Sequence, residues 1–358
     1  MFGVYLKSSS KIMFLISVLV FLMTSVSLVR ADRGMISVST DISIYEPGQK
    51  AIIAWDGKEE ILILSTDVFS TGETFVVEML PLPSNPSRVE LASFESFEIL
   101  QEILNEKLPQ TYKGNFMGRD GAIEAPQIVF HEKIGSHDIT IVMASDSSEL
   151  LDWMKSFLKD NNITQEVSLR NFEPVVQEYM ARGFRYYVLD IIVVSAEQKS
   201  VEPILYWFNT SFLYYPMAIT SPLGGNTNIN LFLLTKTNVS QSSHEYYPLQ
   251  LATYHTFSEE GELRIWLSNG EISEIDLRLG ELMKTGAWLY GLTYEGDVSQ
   301  LTSDVMITWK GALPDGPLIG NVAEALLVLV AISGAALTLL AITATYATMH
   351  PRKQAEKT

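Results

Sequence analysis

Residues 49–65 read QKAIIAWDGKEEILILS, and within them two apolar runs, 51–55 and 61–65, flank a short polar break. Each run has strand length, and the Asp56-Gly57 step between them supplies the turn chemistry that joins antiparallel strands. The reading is a β-hairpin. A third run, 75–80 (FVVEML), ends at Pro81, Pro83 and Pro86, three prolines that stop a strand and hold the chain extended. Upstream, residues 32–47 alternate in the manner of a strand that ends at the Pro47-Gly48 turn.

Outward from this block the pattern changes to helical and back. Phe94, Phe97, Ile99, Leu100, Ile103 and Leu104 recur at helical spacing behind Ser93, before Pro109. A polar, glycine-rich stretch, 110–121, separates a second region. There, 127–130 and 138–144 read as strands. Asp146 and Ser147 cap a helix carrying Leu150, Leu151, Trp153, Met154, Phe157 and Leu158 on one face, and a second helix spans 172–182 and stops at Gly183. Strands at 184–195, 203–208 and 229–235 complete a β-α-α-β-β-β order. From 249 to 309 strands dominate again: Leu263, Ile265 and Leu267 alternate before an Asn269-Gly270 turn, and 305–309 is a final strand. Periodicity leaves 272–283 open between helix and strand. The fold class is α+β, a mostly antiparallel sheet body with a few helices, plus one C-terminal transmembrane helix.

That last helix is residues 325–346, a stretch without a formal charge. At about 1.5 Å per residue its length reaches about 33 Å, enough for a hydrocarbon core of about 30 Å. His350, Arg352, Lys353 and Lys357 follow it, so the positive-inside rule places 347–358 in the cytoplasm as a short basic tail. At the other end, Lys7 and Lys11 precede an apolar stretch, 12–29, in signal-peptide order. Residues 1–31 are the expected signal, cleaved after Ala31 or Ser27, with an uncleaved second span as the alternative. The expected organisation is then a β-rich subdomain at 32–120, a second α+β region at 121–318, and a Gly/Pro stalk ending at 319–324. The localisation is the cell membrane, single-pass type I, with the body outside.

Six of the 25 Lys and Arg (Lys7, Lys11, Arg30, Arg352, Lys353, Lys357) and two of the 42 acids (Glu324, Glu356) lie outside residues 32–318, which leaves the body 19 positive and 40 negative groups, a net charge of −21. Such a surface repels nucleic acid and favours cations or basic partners. There is no cysteine, so thiol catalysis, iron–sulfur clusters and cysteine zinc sites are excluded and the fold depends on core packing.

Several segments taken together resemble a known family. These are residues 49–57 (QKAIIAWDG), Leu62-Ile63-Leu64, residues 75–83 (FVVEMLPLP), Leu151-Asp152-Trp153, residues 179–184, and Tyr215-Pro216-Met217-Ala218-Ile219-Thr220. In this order, and over residues 49–304, they resemble the exported prokaryotic family called domain of unknown function 2330. Relatives commonly carry a cysteine-containing segment after the signal, which this chain lacks. The resemblance implies an exported, often membrane-tethered protein and supplies no activity.

Candidate site residues are few. Sequons at Asn162, Asn209 and Asn238 are N-glycosylation sites in a host that performs the reaction. Trp55 at the hairpin end, Trp207, Tyr214 and Tyr215 are candidate binding aromatics, set against the alternative that they pack in the core. His131-Glu132 and His137-Asp138 match no metal-ligand spacing, and His244 and His255 stand apart, so no metal or other cofactor is expected. No Gly-x-Ser-x-Gly elbow or phosphate-binding glycine loop occurs. The paired acids Glu59-Glu60 and Glu259-Glu260 sit in turn-like text. The reading is a non-enzymatic envelope binding or interaction module with a protein or glycan partner; the alternative is a surface hydrolase using acidic residues.

Overall fold

The computed structural model describes residues 36–37, 44–70, 74–108, 132–134, 137–161, 163, 169–194, 199–223, 225–240, 244–255 and 260–315. The expected signal, the end of the stalk, the membrane span and the tail lie outside them, as do the strand expected at 127–130 and Asn162. No helix among the described residues is long and apolar enough to cross a membrane.

After a short strand β1 (Ile36–Ser37), the expected hairpin is present as β2 (Ile44–Trp55) and β3 (Glu59–Ser70), with Ile53 opposite Leu62 and Trp55 opposite Glu60. Its turn closes as its sequence dictates: Asp56 Oδ1 accepts from the amides of Lys58 (2.8 Å) and Glu59 (2.9 Å), and Gly57 takes φ 102°. Both strands outrun the apolar text. Pro47 does not end β2, because the register shifts between Tyr45 and Gly48 and a bulge absorbs the residue that cannot donate. Nor does Pro81 end β4 (Thr74–Leu82): among the described residues β1 pairs with Val76 and Val77, and no ladder lies on that edge beside Pro81. Next come β5 (Arg88–Leu91) and α1 (Glu95–Lys107), whose Phe97, Leu100, Ile103 and Leu104 are buried as the helical spacing requires.

The middle of the chain supplies β6 (Glu132–Ile134), β7 (His137–Met143), α2 (Ser147–Asp160), α3 (Glu173–Ala181) and β8 (Tyr186–Val194). Asp146 caps α2 by accepting from the Glu149 amide at 3.0 Å. Leu150, Leu151, Met154 and Leu158 of α2 are buried, whereas Trp153, expected on that face, is exposed and stacks on Phe157. β9 (Lys199–Ser200), β10 (Ile204–Asn209), β11 (Phe212–Tyr215) and β12 (Asn226–Thr235) follow, then β13 (Gln250–Leu251), β14 (Thr253–His255), β15 (Glu260–Glu262) and β16 (Arg264–Leu267). Asn269-Gly270 is not a hairpin turn. Ser268 and Glu271 form a capping box, so those residues open α4 (Asn269–Ile275), and α5 (Leu277–Leu282) settles the open stretch as helical. β17 (Ala287–Asp297) and β18 (Val305–Thr308) end the series.

The fold is α+β, its sheets mostly antiparallel. One sheet has the order β13-β17-β12-β2-β3-β10-β5, with β16 on β17 and β9 on β3, and its β12–β2 contact is parallel. The other has the order β1-β4-β8-β7-β6; two small sheets pair β11 with β18 and β14 with β15. Strand alternation divides the large sheet between two cores. Ile52, Ile63, Leu205 and Leu234 pack with α1, α4 and α5, while Ile53, Leu62, Tyr206 and Leu233 join the cluster that holds Val77 and Leu189 of the five-stranded sheet and Met154 and Val176 of α2 and α3. Residues on both sides of position 120 contribute to both sheets, so strand pairing crosses the expected division of the body, and all these elements lie in one unit ending at Leu313.

The hairpin turn tests this reading. Gly57→Ala places a side chain at a left-handed φ and 3.1 Å from the Trp309 ring, whereas Gly183, at φ 96°, has nothing within 4 Å. Both alanine variants lose about 1–2 kcal/mol to the backbone. Thermal melting of the full-length protein should show Gly57→Ala the less stable of the two, the difference reporting the displaced tryptophan.

Candidate functional site

The segments that look distinctive in sequence meet in space. Asp304, fully buried just before β18, receives the Tyr179 hydroxyl (2.5 Å) and the Met217 and Ala218 amides (2.9 and 3.0 Å) on Oδ1, and the Arg182 guanidinium (2.7 Å) on Oδ2. Tyr179 and Arg182 come from the end of α3; Met217 and Ala218 come from the turn after β11. One carboxylate thus ties three distant segments. Burying it is tolerable because its acceptor capacity is met by four donors. The same environment holds the Tyr179 and Tyr214 hydroxyls well above the ordinary tyrosine range, through burial first and the Asp304 charge second.

β11 is joined to the hairpin by side chains. The Tyr214 amide donates to Glu60 Oε2 at 2.7 Å, the Tyr214 hydroxyl to the Pro81 carbonyl at 3.0 Å, and the Tyr215 hydroxyl to Gln49 Oε1. Trp55 Nε1 donates to the Thr210 carbonyl at 3.2 Å. Burial raises the Glu60 carboxyl well above its ordinary value, and the Tyr214 amide offsets this only in part.

All four candidate aromatics are therefore inside. Trp55, Tyr214 and Tyr215 are fully buried; Trp207 is 8 % exposed, donates to Glu59 Oε1 at 3.2 Å and lies under the Arg88 guanidinium. None turns a ring face to solvent. Trp309, not singled out by sequence, is 42 % exposed and meets Trp55 edge-on at 5.7 Å. Of the sequons, Asn209 is exposed and Asn238 half-buried. His137 is buried, with Nδ1 against Asp190 Oδ2 and Nε2 2.8 Å from the Glu202 carbonyl, so both ring nitrogens are engaged. His244 is exposed, and His131 and the His255 side chain lie outside what is described. Among the described residues no group of three His, Cys, Asp or Glu is arranged to hold a metal ion. The Glu59-Glu60 pair is split between the Trp207 indole and the core; Glu259 lies outside the described residues.

Beside this joint opens a wide-mouthed groove of about 440 Å³, edged by Gly57 and Lys58 of the hairpin tip, Pro83, and Asn209, Thr210, Ser211 and Phe212 of the β10–β11 turn. Its walls are fixed. The Trp55 indole holds the Thr210 carbonyl, the Thr210 hydroxyl donates to the Phe212 carbonyl at 2.7 Å, and Ser84 Oγ donates to the Asn209 carbonyl at 2.7 Å. Lys58 is exposed at the rim and has no ion-pair partner among the described residues. Amide, hydroxyl, ammonium and aromatic edge are thus presented by a preorganised turn.

Comparison with known proteins bears on the whole body. A family described as uncharacterized proteins conserved in bacteria, domain of unknown function 2330, matches residues 29–308. No curated protein matches. The crystal structure of baculovirus P35 is similar at a TM-score of 0.41 and 12 % identity, over 76 % of this chain and 98 % of that one. A mutated baculovirus P35 after caspase cleavage gives 0.36 and 10 %, over 73 % and 99 % of the two chains. Similarity at this level carries no assignment.

Two outcomes test the joint. Asp304→Ala strands the Arg182 charge and the Tyr179 donor, and urea unfolding should show a loss of about 3–5 kcal/mol. Glu60→Gln keeps an acceptor for the Tyr214 amide and removes an acid whose raised value makes the native state lose stability as pH climbs above the ordinary carboxylate range. Its melting temperature should exceed that of the parent at pH 7.5, and the advantage should vanish near pH 4, where the parent carboxyl is neutral in both states.

Proposed function

The chain belongs to the domain of unknown function 2330 family, uncharacterized proteins conserved in bacteria, and from that premise we propose that it is a membrane-anchored surface protein whose body is a non-enzymatic binding or interaction module of the envelope. The observation that carries the reading is the groove between the hairpin tip and the β10–β11 turn. Its residues set the Lys58 ammonium, without an ion-pair partner among the described residues, beside the Asn209 amide, the Ser211 hydroxyl and the edge of Phe212, the chemistry that recognises a glycan or a peptide loop. Because Trp55 and Ser84 already hold its backbone, a ligand orders little on entering, which lowers the cost of association. Anchoring is supported by the uncharged stretch 325–346 and the basic residues after it. The acidic body discourages contact with nucleic acid and leaves Lys58 as a local attraction for a polar or anionic group.

Photo-crosslinking on intact cells checks this with the full-length protein. A crosslinking residue at Lys58 or at Ser211 should capture the same partner or glycan-bearing molecule, and one at Lys155, on exposed α2, should not. Identical capture from all three positions, or none from the two groove positions, would sink the groove reading.

A further inference from the structure

One titratable cluster belongs neither to the groove nor to the Asp304 joint. His137 on β7, Asp190 on β8 and Glu78 on β4 share one face of the five-stranded sheet, since Glu78 stands opposite Asp190, Asp190 opposite Ile139, and Ile139 is two residues from His137. All three are about 2 % exposed. Around them lies an apolar cluster of Val76, Ile192, Val194 and Val201.

Hydrogen counting makes the site informative. A carbonyl oxygen only accepts, so the 2.8 Å contact to Glu202 requires a hydrogen on His137 Nε2. The contact between Nδ1 and the Asp190 carboxyl requires a second hydrogen between them. A neutral imidazole brings one. The bonded arrangement therefore holds one proton more than a neutral histidine and an ionised aspartate, and when that proton leaves, one of the two contacts must break.

The hydrogen that remains stays on Nδ1, because the Asp190 carboxylate is a stronger acceptor than a backbone carbonyl, so the contact that breaks is the one to Glu202, a link between sheets. Glu202 lies in the connection between β9 and β10 of the large sheet, fixed on either side where the Val201 amide donates to the Thr66 carbonyl (3.0 Å) and the Pro203 carbonyl accepts from the Ala92 amide (2.7 Å). We propose that His137 is a proton-operated strut: doubly protonated, it ties the five-stranded sheet to the β9–β10 connection of the large sheet, and loss of the proton frees the two at this point. Among the described side chains, the ionisable ones facing it are acids, Asp190 from β8 and Glu78 from β4; Asp138, its neighbour on β7, points to the opposite face, and the connection offers the Glu202 carbonyl.

Electrostatics agree with the geometry. Burial alone lowers the affinity of His137 for its proton, but the charge and hydrogen bond of Asp190, the charge of Glu78 and the Glu202 carbonyl outweigh it and hold the value above that of an ordinary histidine. A histidine raised in the native state contributes stability that is complete below about pH 6.5 and is lost as pH rises through the raised value. The device is thus closed below the ordinary histidine range and opens as pH rises through the raised value. It operates whether or not the groove binds anything.

The test uses the full-length protein labelled with ¹⁵N-histidine. At about pH 6.5, where a free imidazole is half protonated, the His137 ring should be more than half in the doubly protonated form, with two N–H signals. As pH rises through its titration, amide exchange at Val201, corrected for intrinsic base catalysis, should accelerate more than about tenfold. His137→Gln should abolish that pH dependence, and Asp190→Asn, which keeps the shape and removes the charge, should move the His137 titration to lower pH. Titration of His137 at the ordinary histidine value, or Val201 protection that is unchanged as its proton leaves, overturns the proposal, and both readings are made on the unmutated chain even where a variant does not fold.

Discussion

The carboxylate of Asp304 is the constraint on which the second half of the body depends. An ionised acid out of water is costly unless its oxygens are supplied with donors. Here they come from the end of α3 (Tyr179, Arg182) and from the turn after β11 (Met217, Ala218). Because the acid itself lies at the entrance to β18, these bonds fix where the last strand begins. β18 then pairs with β11, Tyr215 opposite Val305, and places Trp309 against Trp55 and Gly57. A contact at the α3 end therefore determines the surface beside the hairpin tip.

The hairpin meets the other side of β11 by the same physics in a weaker form. β11 forms a ladder with β18 alone, and its bonds toward the hairpin run to side chains: the Tyr214 amide to Glu60, the Tyr215 hydroxyl to Gln49. Asp304 has a guanidinium and three further donors, whereas Glu60 accepts from the Tyr214 amide on Oε2 and its buried Oε1 has no hydrogen-bond partner among the described residues. Burial with one compensating donor leaves a charge on Glu60 poorly supported, which is why its carboxyl is raised well above the ordinary range.

How much of this was legible in the sequence follows from the range of each interaction. The β2–β3 hairpin, the Asp146 cap of α2 and the stop at Gly183 are local, and local text fixes them. Asn269-Gly270 misleads because turn chemistry competes with a capping box at Ser268 and Glu271, and the apolar Ile272 and Ile275 need the helix to reach the core. Pro47 and Pro81 sit within strands because a bulge and, among the described residues, an edge without a ladder excuse the missing donor, which depends on neighbours the text does not show. Tyr214 and Tyr215 alternate as strand residues must, yet both faces of β11 are covered, so alternation does not bring either ring to the surface. Asp304 was invisible: its partners are 86 to 125 residues away, and nothing near it in the chain marks it.

These joints also explain why distinctive residues and the proposed binding surface are neighbours without being the same residues. Trp55, Tyr214, Tyr215 and Tyr179 are spent on holding segments that no ladder joins, and they succeed because they are buried. Their effect on the surface is indirect: the Trp55 indole bond to the Thr210 carbonyl sets the β10–β11 turn, and the exposed Asn209, Ser211 and Lys58 inherit that fixed frame. A buried bond to a loop carbonyl leaves the loop side chains free to vary while their anchor points stay in place. Exchanging a side chain on the rim therefore alters the chemistry of the groove without moving the frame that holds it.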